Sequence, residues 1–320
     1  MSASSGSESS TRWTRIAERG SLLGMRITVW CYRRLGRRAC VALVHAIVAY
    51  FFLTDRAGRR ASRAYLRRVA AHPRGRAILG PRPGAWHSFL RYRAFGLTLV
   101  DRLATWSGHG TDLDFEVHGI ELVDHLHERK QGALVLGAHI GSFDALRLLA
   151  ERTRTHVNVL MYTEHAQRIN RIFRELAPDV VERVIAVDPT SVYSVFEVRE
   201  RLARGEVVAL LGDRVEPGDR GRTSRVPFLG DTVELPQAPF LLAHLLGCPV
   251  LMMVALRAGD HRYEVFTERL CDRVRLSRRD RDKQIGELLT AYAGRLEHWC
   301  LEAPHQWFNF YDYWGDAERA

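Results

Sequence analysis

From Asp114 onward the apolar residues come in short blocks: FEVHG, GALVLGA, HVNVLMY, VERVIAV, EVVALLG and PVLMMVAL. Each block is brief, rich in β-branched residues and bounded by turn-forming or charged positions, which predicts strands. Between most of them lie stretches with helical spacing, at 143–152, 166–176, 192–203 and 236–246. Alternation of this kind predicts an α/β fold, with a mainly parallel central sheet flanked by helices on both faces. RYEVFTERL following PVLMM predicts a later, partly antiparallel edge. Ahead of Asp114 the apolar positions recur at helical spacing over 61–69 and 86–106, separated by the turn-forming stretch HPRGRAILGPRPG. The expected organisation is a frayed polar tail at 1–14, an N-terminal helical region at 15–110 and an α/β domain at 111–320.

The strongest apolar run, ACVALVHAIVAYFFL at 39–53, is shorter than the ~20 residues a spanning helix needs and contains His45. Arginines bracket it on both sides, Arg33, Arg34, Arg37 and Arg38 before it and Arg56, Arg59, Arg60 and Arg63 after it. Symmetric flanks give no positive-inside polarity. They suit helices that lie on, or dip into, one anionic leaflet, with Trp30, Phe51 and Phe52 at the acyl boundary. The competing reading is a buried core helix. The polar first dozen residues lack a basic region followed by an apolar stretch, so no secretory signal is expected there.

Composition narrows the function classes. Of 320 residues, 46% are hydrophobic and 26% charged, an ordinary globular balance that excludes a disordered or disulfide-scaffold chain. The net charge is +10, and 45 of the 47 basic residues are arginine. Such a chain suits anionic lipid, nucleic acid or an acidic protein partner, but the arginines are scattered and no nucleic-acid motif is present. The five cysteines contain no C-x-x-C pair, which points to a reduced, cytoplasmic setting and to no zinc site. No P-loop and no G-x-S-x-G elbow occurs. DHLHERK, with His125, His127 and Glu128, reads as a solvated helix face without metal-ligand spacing, so no metal and no cofactor are expected.

The most informative stretch is GALVLGAHIGSFDALRLLAE. A buried strand runs into a glycine-containing turn, and Ser142 is placed to cap a helix beginning at Phe143. His139 then sits in the turn and Asp144 in the first helical turn, where the loop can fold the imidazole back over the carboxylate. A carboxylate on one ring nitrogen sets the tautomer while the other nitrogen takes a proton from a hydroxyl or amine. Gly137 and Gly141 allow close approach to the backbone, and N–H groups at the helix start, including Ser142, can hold an oxyanion or phosphate. A satisfied structural histidine is the competing reading. Asp213 and Arg214 end the strand EVVALLG and are expected at the same sheet edge as His139, with Arg214 on a phosphate or thioester carbonyl and Asp213 orienting Arg214 or an acceptor hydroxyl. The loop at 216–224 is a candidate cover over the site. QWFNFYDYW reads first as an aromatic plug that ties down the C-terminus.

AHIGSFD, then LLGDRVEPGDRGRTSRVPFLG, then GCPVLMMVAL, then HQWFNFYDYW resemble, in that order, the blocks of the lysophospholipid-acyltransferase-like superfamily, and within it the late acyltransferases of lipid A biosynthesis. The resemblance implies that His139 and Asp144 form the catalytic dyad, and that Gly141, Ser142, Asp213, Arg214, Phe228, Gln306 and Asn309 bind substrate. Asp144 stands where that family usually carries Glu, and FNFYDYW where it usually carries a basic ending, which implies a divergent subgroup acting on another lipid or lipid-like acceptor.

The implied activity is transfer of a fatty acyl group from a thioester, on acyl carrier protein or coenzyme A (acyl-CoA), to a hydroxyl or amine of a membrane lipid or glycolipid. The implied place is the cytoplasmic face of the inner membrane, peripheral or monotopic, against an anionic membrane surface and with no nucleic acid as partner. The alternatives are an acyl-CoA-dependent lysophospholipid acyltransferase and, from another class, a non-catalytic basic binding protein for anionic membranes or nucleic acid.

Overall fold

The structure, a computed structural model, describes residues 8–106, 113–153, 155–162, 184–187, 193–215 and 222–315. The expected helix at 166–176 and the greater part of the expected cover loop lie outside them. Helix α1 (Glu8–Thr54) begins within the polar tail and breaks direction at Gly36, whose φ of 78° only glycine takes readily. Its second half carries the apolar run. Because the flanking residues continue the helix, Arg34–Thr54 gives 21 residues, long and apolar enough by length and composition to cross a membrane. One face of that segment is nonetheless covered. Cys40, Val44 and Val48 pack with Tyr92 and Val100 of α4 (Ala85–Trp106), where Gly96 leaves room for the two valines. The opposite face leaves Leu35, Ile47, Tyr50, Phe51 and Leu53 exposed.

Helix α2 (Arg56–Ala71) is amphipathic, with Asp55 as its N-cap accepting from the Gly58 N–H. The stretch HPRGRAILGPRPG holds more than a turn. The imidazole of His72 accepts from the Arg74 N–H, Pro73 starts a short α3 (Pro73–Leu79), and Gly80 ends it. Tyr65, Leu66 and Val69 of α2 and Leu79 of α3 belong to the same core as the strands, so the helical region and the α/β domain share one apolar interior.

The sheet has seven strands, in order β1-β9-β8-β2-β5-β3-β4. They are β1 (Asp114–His118), β2 (Ala133–Gly137), β3 (Val157–Tyr162), β4 (Val184–Val187), β5 (Val207–Leu211), β8 (Val250–Arg257) and β9 (Arg262–Cys271). Every adjacent pair is parallel except β8 with β9; the antiparallel pairing expected from the sequence is there, but β1 adds outside β9, so the pair lies within the sheet and not at its edge. All five residues of β2 are buried, as befits a central strand covered on both faces. Its flanking helices are α5 (Ile120–Glu128), α6 (Phe143–Arg152), α7 (Tyr193–Ala203), α8 (Ala238–Leu246) and α9 (Arg281–Glu302). A separate hairpin, β6 (Thr223–Phe228) and β7 (Asp231–Pro236), packs on α9.

Candidate active site

Strands β2 and β5 are parallel neighbours with Gly137 opposite Leu211. Two residues beyond each, at the carboxyl edge, stand His139 and Asp213. The register thus brings together groups that are 74 positions apart in the chain, and the Nδ1 of His139 meets Asp213 Oδ1 at 2.7 Å. The other oxygen, Oδ2, accepts three hydrogen bonds, each of 3.0 Å: from the His139 main-chain N–H, Trp307 Nε1 and Asn309 Nδ2. Tyr313 donates to the Asp213 carbonyl at 2.6 Å.

Asp213 is fully buried. Burial by itself raises the pKa of its carboxyl, but the charge and hydrogen bonds of His139, with Arg214 behind them, outweigh it and hold the group well below the usual carboxylate range. An ionised carboxylate only accepts, so Nδ1 carries the ring proton and Nε2 presents its lone pair. Nε2 makes no hydrogen bond to a described residue, and the His139 side chain keeps 26% of its surface exposed. Chemically, a histidine held in this way can serve as a general base, with one face open to solvent.

The expected contact between His139 and Asp144 is replaced by this one. Ser142 does cap α6, accepting from the Ala145 N–H, and Asp144 does fall in the first turn. That turn faces α4, however, and Asp144 Oδ2 takes a 2.5 Å bond from Arg102 Nε. The turn is held in place by backbone pairing, since the Ser142 N–H donates to Ala255 O and the Gly141 N–H to Gln306 O. Gly141 therefore brings β8, rather than a substrate, close to the chain. At its φ of +65° a Cβ would stand 2.0 Å from Ala255 O. The polar groups of Gly141 and Ser142 expected to hold an anion are spent inside the fold.

Three further expected contacts resolve into support. Gln306 pairs both amide atoms with the backbone of Arg257, extending the end of β8. Phe228 is buried among Trp307, Tyr313 and Trp314, and so belongs to the aromatic plug. Asn309 bridges Asp213 to Arg214, accepting from Arg214 Nε at 2.6 Å while donating to Asp213. Asp213 accordingly orients His139. Arg214 also donates to Phe308 O, which leaves its Nη1 without a hydrogen bond to a described residue, on a partly exposed side chain next in sequence to the histidine's carboxylate.

The C-terminal segment is thus both plug and scaffold. Phe308 N donates to His139 O, so the segment runs along the turn. Arg91 of α4 clamps it from below: the fully buried guanidinium donates to Trp307 O at 2.5 Å and Asn309 O at 3.2 Å and lies over the rings of Tyr65 and Phe310. Burial lowers its pKa to about 10, which keeps it cationic at neutral pH.

The family model described as bacterial lipid A biosynthesis acyltransferase matches residues 86–315, which include every residue of this site. The chain belongs to this family. It is an acyltransferase of lipid biosynthesis, and the family implies an acyl donor, a lipid acceptor and association with a membrane. No curated protein matches the chain. Within this lipid A biosynthesis acyltransferase family member, sequence reasoning missed Arg91 and Arg102, because nothing marks a core arginine or an ion-pair partner among so many arginines. The meeting of His139 and Asp213 had a usable signal in the equal offset of both residues from the ends of their strands.

Proposed function

We propose that the enzyme transfers a fatty acyl group from an acyl thioester to a hydroxyl or amine of a membrane lipid, with His139 as general base and Asp213, in place of Asp144, as its carboxylate partner. His139 Nε2 takes the proton of the acceptor as its oxygen or nitrogen attacks the thioester carbonyl. Asp213 stabilises the imidazolium that results. The tetrahedral oxyanion is held by the free Nη1 of Arg214. Collapse breaks the carbon–sulfur bond, and the imidazolium returns the proton to the leaving thiolate. No covalent acyl-enzyme is needed. The observation that carries this reading is the open Nε2 of a histidine whose Nδ1 is fixed by a buried, ionised carboxylate.

The donor is acyl carrier protein or coenzyme A, and the acceptor enters from the cytoplasmic face of the membrane along the exposed side of α1. A net charge of +10 favours an acidic carrier protein through long-range attraction. The test is acyl transfer, read by mass spectrometry of the lipid product, with both donors and with the His139→Ala variant. Loss of transfer in a folded His139→Ala protein supports the reading, and near wild-type transfer overturns it. A rate with carrier protein that collapses at high salt, while the coenzyme A rate does not, selects the former.

A further inference from the structure

Among the described residues Arg91 is the only buried arginine, and it pairs with no carboxylate. Its Nη2 donates to the carbonyls of Trp307 and Asn309, while Nε and Nη1 make no hydrogen bond. A buried charge without a counter-ion is an expensive way to fill space, and an apolar side chain of similar length would fill it at less cost. What the charge supplies here is direction. We propose that Arg91 is a positioning residue of the transfer reaction, holding Trp307 and Asn309 so that both donate to Asp213. The proposal rests on the reading of Asp213 as the partner of His139.

The segment at 306–309 pairs along one edge with the turn that carries the histidine. The Gly141 N–H donates to Gln306 O and the Phe308 N–H to His139 O, and Ile140 and Trp307 form an antiparallel bridge. Carbonyls of alternate residues in an extended segment point to opposite edges, so those of Trp307 and Asn309 turn away from that pairing, toward α4. There one guanidinium takes both. The two residues it fixes are the ones whose side chains, through Trp307 Nε1 and Asn309 Nδ2, donate to Asp213 Oδ2 at 3.0 Å.

The guanidinium is itself held between rings, 4.3 Å from the centroid of Tyr65 on α2 and 4.9 Å from that of Phe310. On the same stripe of α4, at spacings of four, His87 meets His305 and Phe95 meets Phe308 and Phe310. The helix therefore lies along the segment, and Arg91 sits midway on the contact. A slide or rotation of the segment carries both donors off Asp213 together.

The experiment compares wild type, Arg91→Lys, Arg91→Met, and Arg91→Met in a Trp307→Phe/Asn309→Ala background. The full chain is assayed with hexadecanoyl thioesters of coenzyme A and of acyl carrier protein as donors and a bacterial polar lipid extract as acceptor, with thermal melting to establish that each variant is folded at the assay temperature. Arg91→Met loses about 100-fold in kcat, the cost of about 1 Å of misplacement, while KM for the donor stays within about twofold because Arg91 is buried away from any substrate. Arg91→Lys keeps the charge but cannot span two carbonyls, and it loses about tenfold; it decides the matter where Arg91→Met does not fold. In the background that already lacks both donors, Arg91→Met costs less than about threefold more, since it acts through them. The indole N–H resonance of Trp307 moves upfield in both single variants as its bond to Asp213 loosens, which a role in packing alone would not produce. Wild-type kcat in either folded single variant overturns the proposal, as does an equal loss in both backgrounds or a raised KM with kcat unchanged. Asp213→Asn is assayed alongside. Undiminished transfer there removes the reading of Asp213 beneath the proposal, whereas loss there with none in Arg91→Met removes the positioning role alone.

Discussion

Replacing Asp213 by Asn separates the two possible partners of His139. The substitution keeps the shape, and the geometry dictates how the amide must sit. Three donors converge on Oδ2, from His139 N, Trp307 Nε1 and Asn309 Nδ2, so the amide oxygen has to take that position. The NH2 group then faces His139 Nδ1 at the 2.7 Å contact. Two donors cannot share it. The ring resolves the conflict by moving its proton to Nε2, which leaves Nδ1 accepting and the catalytic nitrogen unable to act as a base. A wrong tautomer costs about 10⁴ in rate, or about 5 kcal/mol of transition-state stabilisation. Asp144→Asn, by contrast, weakens a pair with Arg102, whose side chain is 38% exposed, and leaves the histidine untouched. Its cost falls on stability, about 1–3 kcal/mol, with transfer rates within about tenfold of wild type. Single-turnover acyl transfer and thermal melting of both variants decide the matter, with nitrogen NMR of His139 reporting the tautomer. If Asp213→Asn stays within tenfold of wild type while Asp144→Asn loses a thousandfold, the proton-relay reasoning is wrong.

Further outcomes follow from the same contacts. Gly141→Ala meets Ala255 O at 2.0 Å in a left-handed backbone and destabilises by about 3 kcal/mol or more, seen as a lowered melting temperature; an unchanged melt would contradict the close approach of the turn to β8. His305, stacked on His87 at a 3.1 Å nitrogen contact, has its pKa lowered to about 4 by burial first and then by the neighbouring His87 and Arg91. The unfolded chain therefore binds a proton that the folded one refuses, and stability drops as pH falls from about 6.5 to about 4, by at most about 3 kcal/mol. Denaturant melts across that range check it, and His305→Gln flattens the slope. Trp307→Phe removes one donor from Asp213 and leaves the plug's rings, so it lowers the transfer rate more than the melting temperature; the reverse order would make Trp307 a packing residue alone.

The α/β class and the seven strands of the central sheet were legible because apolar periodicity is a local property, and a strand buried on both faces, such as β2, writes itself as an unbroken apolar run. So were the strand-turn-helix around His139 and the Ser142 cap, whose partner is three residues away. Helix α9 carries a helical pattern too weak in contrast to be singled out, yet it supplies Tyr292, which donates to Gly137 O beneath the site. The short α3 hid inside glycine and proline that mark its ends as readily as a turn.

What the chain alone settled, then, is where the imidazole stands: after a central strand, before a capped helix, at the rim of the sheet. Which carboxylate reaches it was decided only when β2 and β5 aligned and the C-terminal segment closed over their ends. Asp144 is five residues from His139 but points along a helix whose first turn is pinned to β8 and faces α4. Asp213 is far in sequence and adjacent in space. A side chain's partner depends on directions set by packing, and packing sums contacts from every part of the molecule, so no local pattern can record it.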